Sequence, residues 1–125
     1  MDKDNRKNNL ILEIKTTQTG AFKETISMIK NVIPQCCIEF VRPKENTKGG
    51  MRILGNSPDN STSVKLVLDA MKFEYFECIE PSISIGIDMF DFHKKLSIIN
   101  NDDPIILYMD QMHILCIDNI KKKMK

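Results

Sequence analysis

Hydrophobic residues recur along the chain at spacings of two in some stretches and of three or four in others. Leu10, Leu12 and Ile14 fall on one face of an extended segment, which predicts a strand. After Thr19, a plausible helix N-cap, apolar residues follow at i, i+4, i+7 and i+11, namely Phe22, Ile26, Ile29 and Ile33. This single stripe predicts an amphipathic helix that ends at Pro34.

The same reasoning extends to the rest of the chain. A second helical stripe has apolar residues at Met89, Phe92, Leu96 and Ile99, and the polar run before Pro104 ends it. Turn-forming residues separate short apolar runs, so further strands are predicted at 36–41, 51–54, 64–68, 73–78, 83–87, 105–109 and 112–117. The order β-α-β-β-β-β-β-α-β-β predicts an α+β domain: an antiparallel β-sheet with two helices on one face.

Composition narrows the possible functions. The chain has 125 residues, enough for one domain, and a formal net charge of +1, so any contact with nucleic acid depends on where the charges lie. The four cysteines show no metal-ligand spacing and are interpreted as small buried residues in a reducing intracellular compartment. No apolar run is long enough to cross a membrane, residues 1–9 are interpreted as a disordered tail rather than a signal peptide, and no nucleotide-binding glycine loop occurs.

Several segments, in this order, resemble the DNA sliding clamps of the proliferating-cell-nuclear-antigen (PCNA) type. Phe73 to Cys78 is similar to that family's Phe-Asp-x-Tyr-x-Cys strand. Ile83 to Asp88 is similar to its Leu-Ala-Met-Gly-Val-Asn strand, which leads directly into the second helix. Leu96 corresponds to its helical leucine, and Asn101 to Leu107 resembles its acidic turn and Ile-Ile-x-Leu strand. The resemblance implies the clamp fold, a βαβββ unit used twice, over 10–118, as the N-terminal domain of a divergent clamp, such as a viral one.

The resemblance also implies a non-catalytic role. Family members encircle duplex DNA and tether DNA polymerase and other replication proteins, in the nucleus or at a viral replication site, and need no cofactor. The two histidines, His93 and His113, have no nucleophile motif near them, and no close pair of acidic residues suggests metal-assisted hydrolysis. The alternative is a clamp-fold interaction module in viral transcription or assembly that forms no ring.

The candidate DNA-binding residues follow from the resemblance. Lys23 and Lys30 on the first helix, and Lys94 on the second, match basic positions that face DNA in the family, and His93 and Lys95 flank Lys94. Lysine ammoniums would hold phosphates without reading sequence, so a ring could still slide. Glu24 and Ser97 stand where the family often has lysine. The alternative interpretation is that these lysines only solvate the exposed faces of two amphipathic helices.

Two departures from the family concern its other contacts. The segment Asn56–Ser63 is polar throughout, whereas the family uses apolar residues there to build a pocket for client proteins. The family's next edge strand and second domain are not evident, and 119–125 is interpreted as a basic tail or the start of a truncated edge strand. We therefore expect the full-length protein to be a homotrimeric ring that this chain alone cannot close.

Overall fold

The computed structural model describes residues 10–119, which contain eight strands and two α-helices. Their order along the chain is that predicted from the hydrophobic pattern. The disordered tail predicted at 1–9 lies outside the described residues. So does the basic tail or truncated edge strand predicted at 119–125, apart from Asn119, which is the last residue of β8. The elements are β1 (Leu10–Thr16), α1 (Thr19–Val32), β2 (Gln35–Val41), β3 (Gly50–Asn56), β4 (Ser63–Asp69), a 3-10 turn (Ala70–Lys72), β5 (Tyr75–Cys78), β6 (Ser82–Asp88), α2 (Met89–Ser97), β7 (Ile105–Asp110) and β8 (Leu115–Asn119).

One antiparallel sheet has the strand order β5-β1-β7-β8. β1 lies inside it because its apolar residues alternate and pair with apolar residues of β7, Leu12 with Met109 and Ile14 with Leu107. These four side chains are almost fully buried. The sheet therefore has one face in the core, and its other face carries polar residues such as Lys15 and Glu77.

The second antiparallel sheet has the order β4-β3-β2-β6. Its registry places Ile38 of β2 between Ile53 of β3 and Ile85 of β6, so three isoleucines meet on the core face. Cys36 and Cys78 are buried, as interpreted from the sequence, whereas Cys116 is only partly buried. Cys37 is exposed, which corrects that interpretation, because it lies on the opposite face of β2 from Cys36.

The two helices cover the core side of the sheets. The stripes predicted for them are confirmed, since Ile26, Ile33, Met89 and Leu96 have no exposed surface. The fold is thus an α+β domain, as predicted, and its antiparallel strands are divided between two sheets.

Two local predictions were wrong. Thr19 is the first residue of α1 rather than its N-cap, which is Gln18, and the Thr19 hydroxyl donates instead to the distant carbonyl oxygen of Asp103 at 2.5 Å. The last strand begins at Leu115 rather than Met112. The Asp110 carboxylate and carbonyl accept the amides of Met112 and His113, and His113 has φ of 62°, so these residues form a turn.

Candidate nucleic-acid interface

The helices α1 and α2 pack beside each other and expose their outward sides to solvent. Phe22 and Phe92 contact each other beneath the pair. α2 begins sharply because the Asp88 carboxylate accepts the amides of Phe90 and Asp91, at 2.9 and 3.2 Å. The pair is therefore a fixed platform for the side chains on its solvent side.

The charged side chains on this pair are mostly basic. Four lysines (Lys23, Lys30, Lys94 and Lys95) stand against two carboxylates, Glu24 and Asp91. Taken over the two helices, the formal charge is +2 with His93 neutral, from four positive and two negative side chains. This local excess is larger than the +1 of the whole chain, so the helix pair is a basic patch on a nearly neutral molecule.

Lys23 is half-buried, and its ammonium is not directed freely to solvent. Its Nζ donates a hydrogen bond to the carbonyl oxygen of Ile99, just beyond the end of α2. The resemblance to the clamp family placed Lys23 among the DNA-facing cations. The structure adds a protein partner for the same ammonium.

Lys30 is also half-buried, in the last turn of α1. Its Nζ lies 5.4 Å from the centroid of the Phe90 ring, within the range of a cation–π contact. It also donates to the Asn31 side-chain oxygen at 3.3 Å. Phe90, from α2, thus contributes to where the Lys30 ammonium is held.

The three α2 candidates do not share one side of the helix. Lys94 is exposed and lies opposite the buried Met89, Phe92 and Leu96. His93 is half-buried. Lys95 is exposed at a cleft of about 280 Å³ between α2 and the edges of β6 and β8, which Asp91 and His113 also line. Lys95 is therefore turned toward the β8 side of the domain, away from Lys94.

Sequence reasoning missed the apolar residues that share the solvent side of the helices. Met28 of α1 is 66% exposed, and Phe90 and Ile98, at the two ends of α2, are 51% and 85% exposed. The sequence contained a signal for their exposure, because each is an apolar residue that lies off the apolar stripe of its helix. The outward surface therefore combines lysines with exposed apolar groups.

The polar segment between β3 and β4 forms a compact exposed turn. The Asp59 carboxylate accepts hydrogen bonds from the hydroxyl groups of Ser61 and Ser57, both at 2.7 Å, and from the Ser61 amide at 3.0 Å. These bonds, the Ser61 hydroxyl's first, lower the pKa of Asp59 to about 2. The side chains of this turn offer hydrogen-bonding groups, whereas a client pocket of the kind described for the clamp family would need apolar ones here.

Among residues 10–119, no three His, Cys, Asp or Glu side chains come together in a way that could hold a metal ion. None of the described helices has the length and apolarity needed to span a bilayer. The lysines of the helix pair carry a charge that suits a polyanion.

Relatives of this chain are found among viral proteins. It is 41% identical, over 140 residues, to a protein of Acanthamoeba polyphaga mimivirus named "Probable DNA polymerase sliding clamp", and the match covers 86% of this chain and 30% of that protein. An uncharacterized protein of the same virus is 31% identical over 127 residues, which cover 95% of this chain and 45% of the relative. The chain spans less than half the length of these relatives. No protein-family model matches it.

Solved structures with the same fold include PCNA proteins. PCNA of Thermococcus kodakaraensis superposes with a TM-score of 0.76 at 19% identity, over 90% of this chain and 43% of that one. Proliferating Cellular Nuclear Antigen of Entamoeba histolytica gives a TM-score of 0.73 at 16% identity, over 93% and 49%. At these identities the similarity establishes the fold.

Proposed function

We propose that this chain, a divergent domain of the PCNA-like clamps, is part of a DNA polymerase processivity factor that encircles duplex DNA and tethers replication proteins. The observation that carries the proposal is the 41% identity to a probable sliding clamp across most of the chain. The clamp fold supports it independently. The proposed role is non-enzymatic, at a nuclear or viral site of DNA replication.

The helix pair α1 and α2 is the proposed DNA-facing surface. Lys30 and Lys94 supply its principal phosphate contacts, because Lys94 is exposed and the Lys30 ammonium is held at the solvent side of the pair by Phe90. His93 and Lys95 flank Lys94 and contribute less, since His93 is half-buried and Lys95 is turned toward β8. Such contacts give affinity that depends on salt and not on base sequence.

The proposed partners are duplex DNA, DNA polymerase and further replication proteins. The polar turn around Asp59 favours a client set that differs from the one bound by an apolar pocket. A closed homotrimeric ring is proposed as the assembly in which this domain takes part. Among the described residues, β5 and β8 are the edge strands of one sheet and β4 and β6 those of the other, and a further strand could pair at such an edge.

The test measures binding of the 125-residue chain to two DNA duplexes of unrelated sequence. Fluorescence anisotropy reports the binding at several salt concentrations. We expect weak binding of equal strength to both, with an affinity that falls steeply as salt rises. Lys30→Met and Lys94→Met should each reduce the slope of log affinity against log salt by about 0.9, the loss of one phosphate contact. Lys65→Met, on the exposed strand β4, is the matched control and should leave the slope unchanged. Equal effects of all three substitutions would contradict a DNA-facing helix pair.

A further inference from the structure

We propose that Lys23 is a positioning residue, part of a clasp that fixes α1 against the segment 98–103 following α2. For its effect on DNA, this inference rests on the proposed function. The clasp itself rests on contacts within the protein.

Two side chains of α1 make the clasp. The Thr19 hydroxyl donates to the Asp103 carbonyl oxygen at 2.5 Å, and the Lys23 ammonium donates to the Ile99 carbonyl oxygen. Thr19 and Lys23 are four residues apart, so they lie one above the other on the same side of the helix. Both bonds join parts of the chain that are far apart in sequence, 84 and 76 residues respectively.

The position of the Lys23 ammonium has a clear electrostatic reason. The last carbonyl groups of a helix lack donors within the helix, and they form its negative end. Ile99 follows the C-cap of α2, and its own amide donates to the Leu96 carbonyl. A lysine from the neighbouring helix therefore donates to a carbonyl just beyond the negative end of α2.

The packing around the clasp is close. Thr19 and Ile99 are 1% and 6% exposed. A methyl group added at Gly20 would lie 3.6 Å from the Asn101 side chain, in ordinary van der Waals contact, so the start of α1 lies beside the 98–103 segment. Because the partners are buried, releasing the Lys23 ammonium would leave a carbonyl group without its donor.

The clasp gives Lys23 a role that differs from the phosphate-binding role proposed for Lys30 and Lys94. A phosphate contact by Lys23 would have to compete with the Ile99 carbonyl, whereas Lys94 is exposed on the outward side of α2. Lys23 thus holds α1 against the segment that follows α2 and makes no phosphate contact of its own.

The experiment compares Lys23→Met, Lys23→Arg and Lys94→Met in the full chain, by thermal unfolding and by the salt dependence of duplex binding. Lys23→Met should lower the melting temperature by about 5 °C and should leave the salt slope unchanged. Lys23→Arg should restore the melting temperature, because a guanidinium can donate to the same carbonyl oxygen. Lys94→Met should leave the melting temperature unchanged and should lower the slope of log affinity against log salt by about 0.9.

Thr19→Val provides a second route to the same conclusion if Lys23→Met does not fold. It removes the other clasp bond without changing any charge, so it should lower the melting temperature and leave the slope unchanged. A Lys23→Met protein with wild-type stability and a reduced slope would overturn the clasp. If Lys30→Met and Lys94→Met leave DNA binding unchanged, the proposed function fails, while the melting temperatures still decide the clasp.

Discussion

The Phe22 ring of α1 meets the Phe92 ring of α2 edge to face, with centroids 6.1 Å apart and planes at 88°. This is a favoured geometry for two aromatic rings, worth about 1 kcal/mol beyond the area it buries. The contact lies on the core side of the helix pair, directly beneath the proposed DNA-facing surface. It therefore couples the stability of the domain to the position of both helices.

Truncation of Phe92 should strongly destabilise the domain. Phe92 is 1% exposed, and Phe92→Ala removes both the ring contact and the apolar surface it buries, so we expect a loss of about 3 to 5 kcal/mol in the free energy of unfolding. Phe90→Ala is the matched control on the same helix, since Phe90 is 51% exposed, and it should cost under about 1 kcal/mol. Urea unfolding followed by circular dichroism measures both, and similar losses for the two variants would contradict the packing described.

The turn at Asp59 predicts a particular pH dependence. Hydrogen bonds lower the pKa of Asp59 from 3.8 to about 2, so the ionised carboxylate stabilises the folded state. That contribution is fully present above about pH 4 and is lost as pH falls through about 2. Asp59→Asn should therefore melt at a lower temperature than wild type near neutral pH, and the difference should shrink between these two pH values. Melting curves at a series of pH values test this.

Asp102→Asn is the control for that series, because it removes an exposed carboxylate from a different turn. It should show no comparable narrowing of the melting-temperature difference at low pH. A constant difference for Asp59→Asn across the series would show that its hydrogen bonds do not depend on the charge.

Lys30 and Phe90 should act as a unit in DNA binding. The ring holds the Lys30 ammonium at 5.4 Å from its centroid, so Phe90→Leu should weaken duplex binding even though leucine removes no charge. Once Lys30 is replaced by Met, Phe90→Leu should have no further effect, and the two substitutions should be non-additive. Anisotropy titrations of the single and double variants measure the coupling. Met28→Leu, at another exposed apolar position of the helix pair, should show no coupling to Lys30; additive effects of Phe90→Leu and Lys30→Met would exclude the pairing.

The order of strands and helices could be predicted because the spacing of apolar residues indicates which side of each strand or helix is buried. The stripe from Phe22 to Ile33 and the alternation of Leu10, Leu12 and Ile14 each follow from a single local periodicity. Thr19 shows the limit of that reasoning. Its hydroxyl could accept a hydrogen bond at a helix N-terminus or donate to a distant carbonyl, and the Asp103 carbonyl that decides the matter is 84 residues away.

The candidate site was predictable as a location but not in its details. Resemblance and helical spacing indicated which lysines lie on α1 and α2. They could not show that the Lys23 ammonium has a partner at Ile99, because that bond depends on how the two helices pack. Lys95 is next to Lys94 in sequence, yet one residue turns a helix by about 100° and places Lys95 beside the cleft near β8.

The most direct test of a DNA-facing helix pair is an amide chemical-shift titration of the isotope-labelled chain with a short duplex at low salt. The largest shifts should occur at Lys30, Phe90, Lys94 and their neighbours. The amides of Cys37, Glu39 and Arg52, on the solvent-facing side of the second sheet, should remain unchanged. The shifts at the helices should disappear as salt is raised. Shifts concentrated on the sheet residues, with the helix amides unmoved, would contradict the central claim.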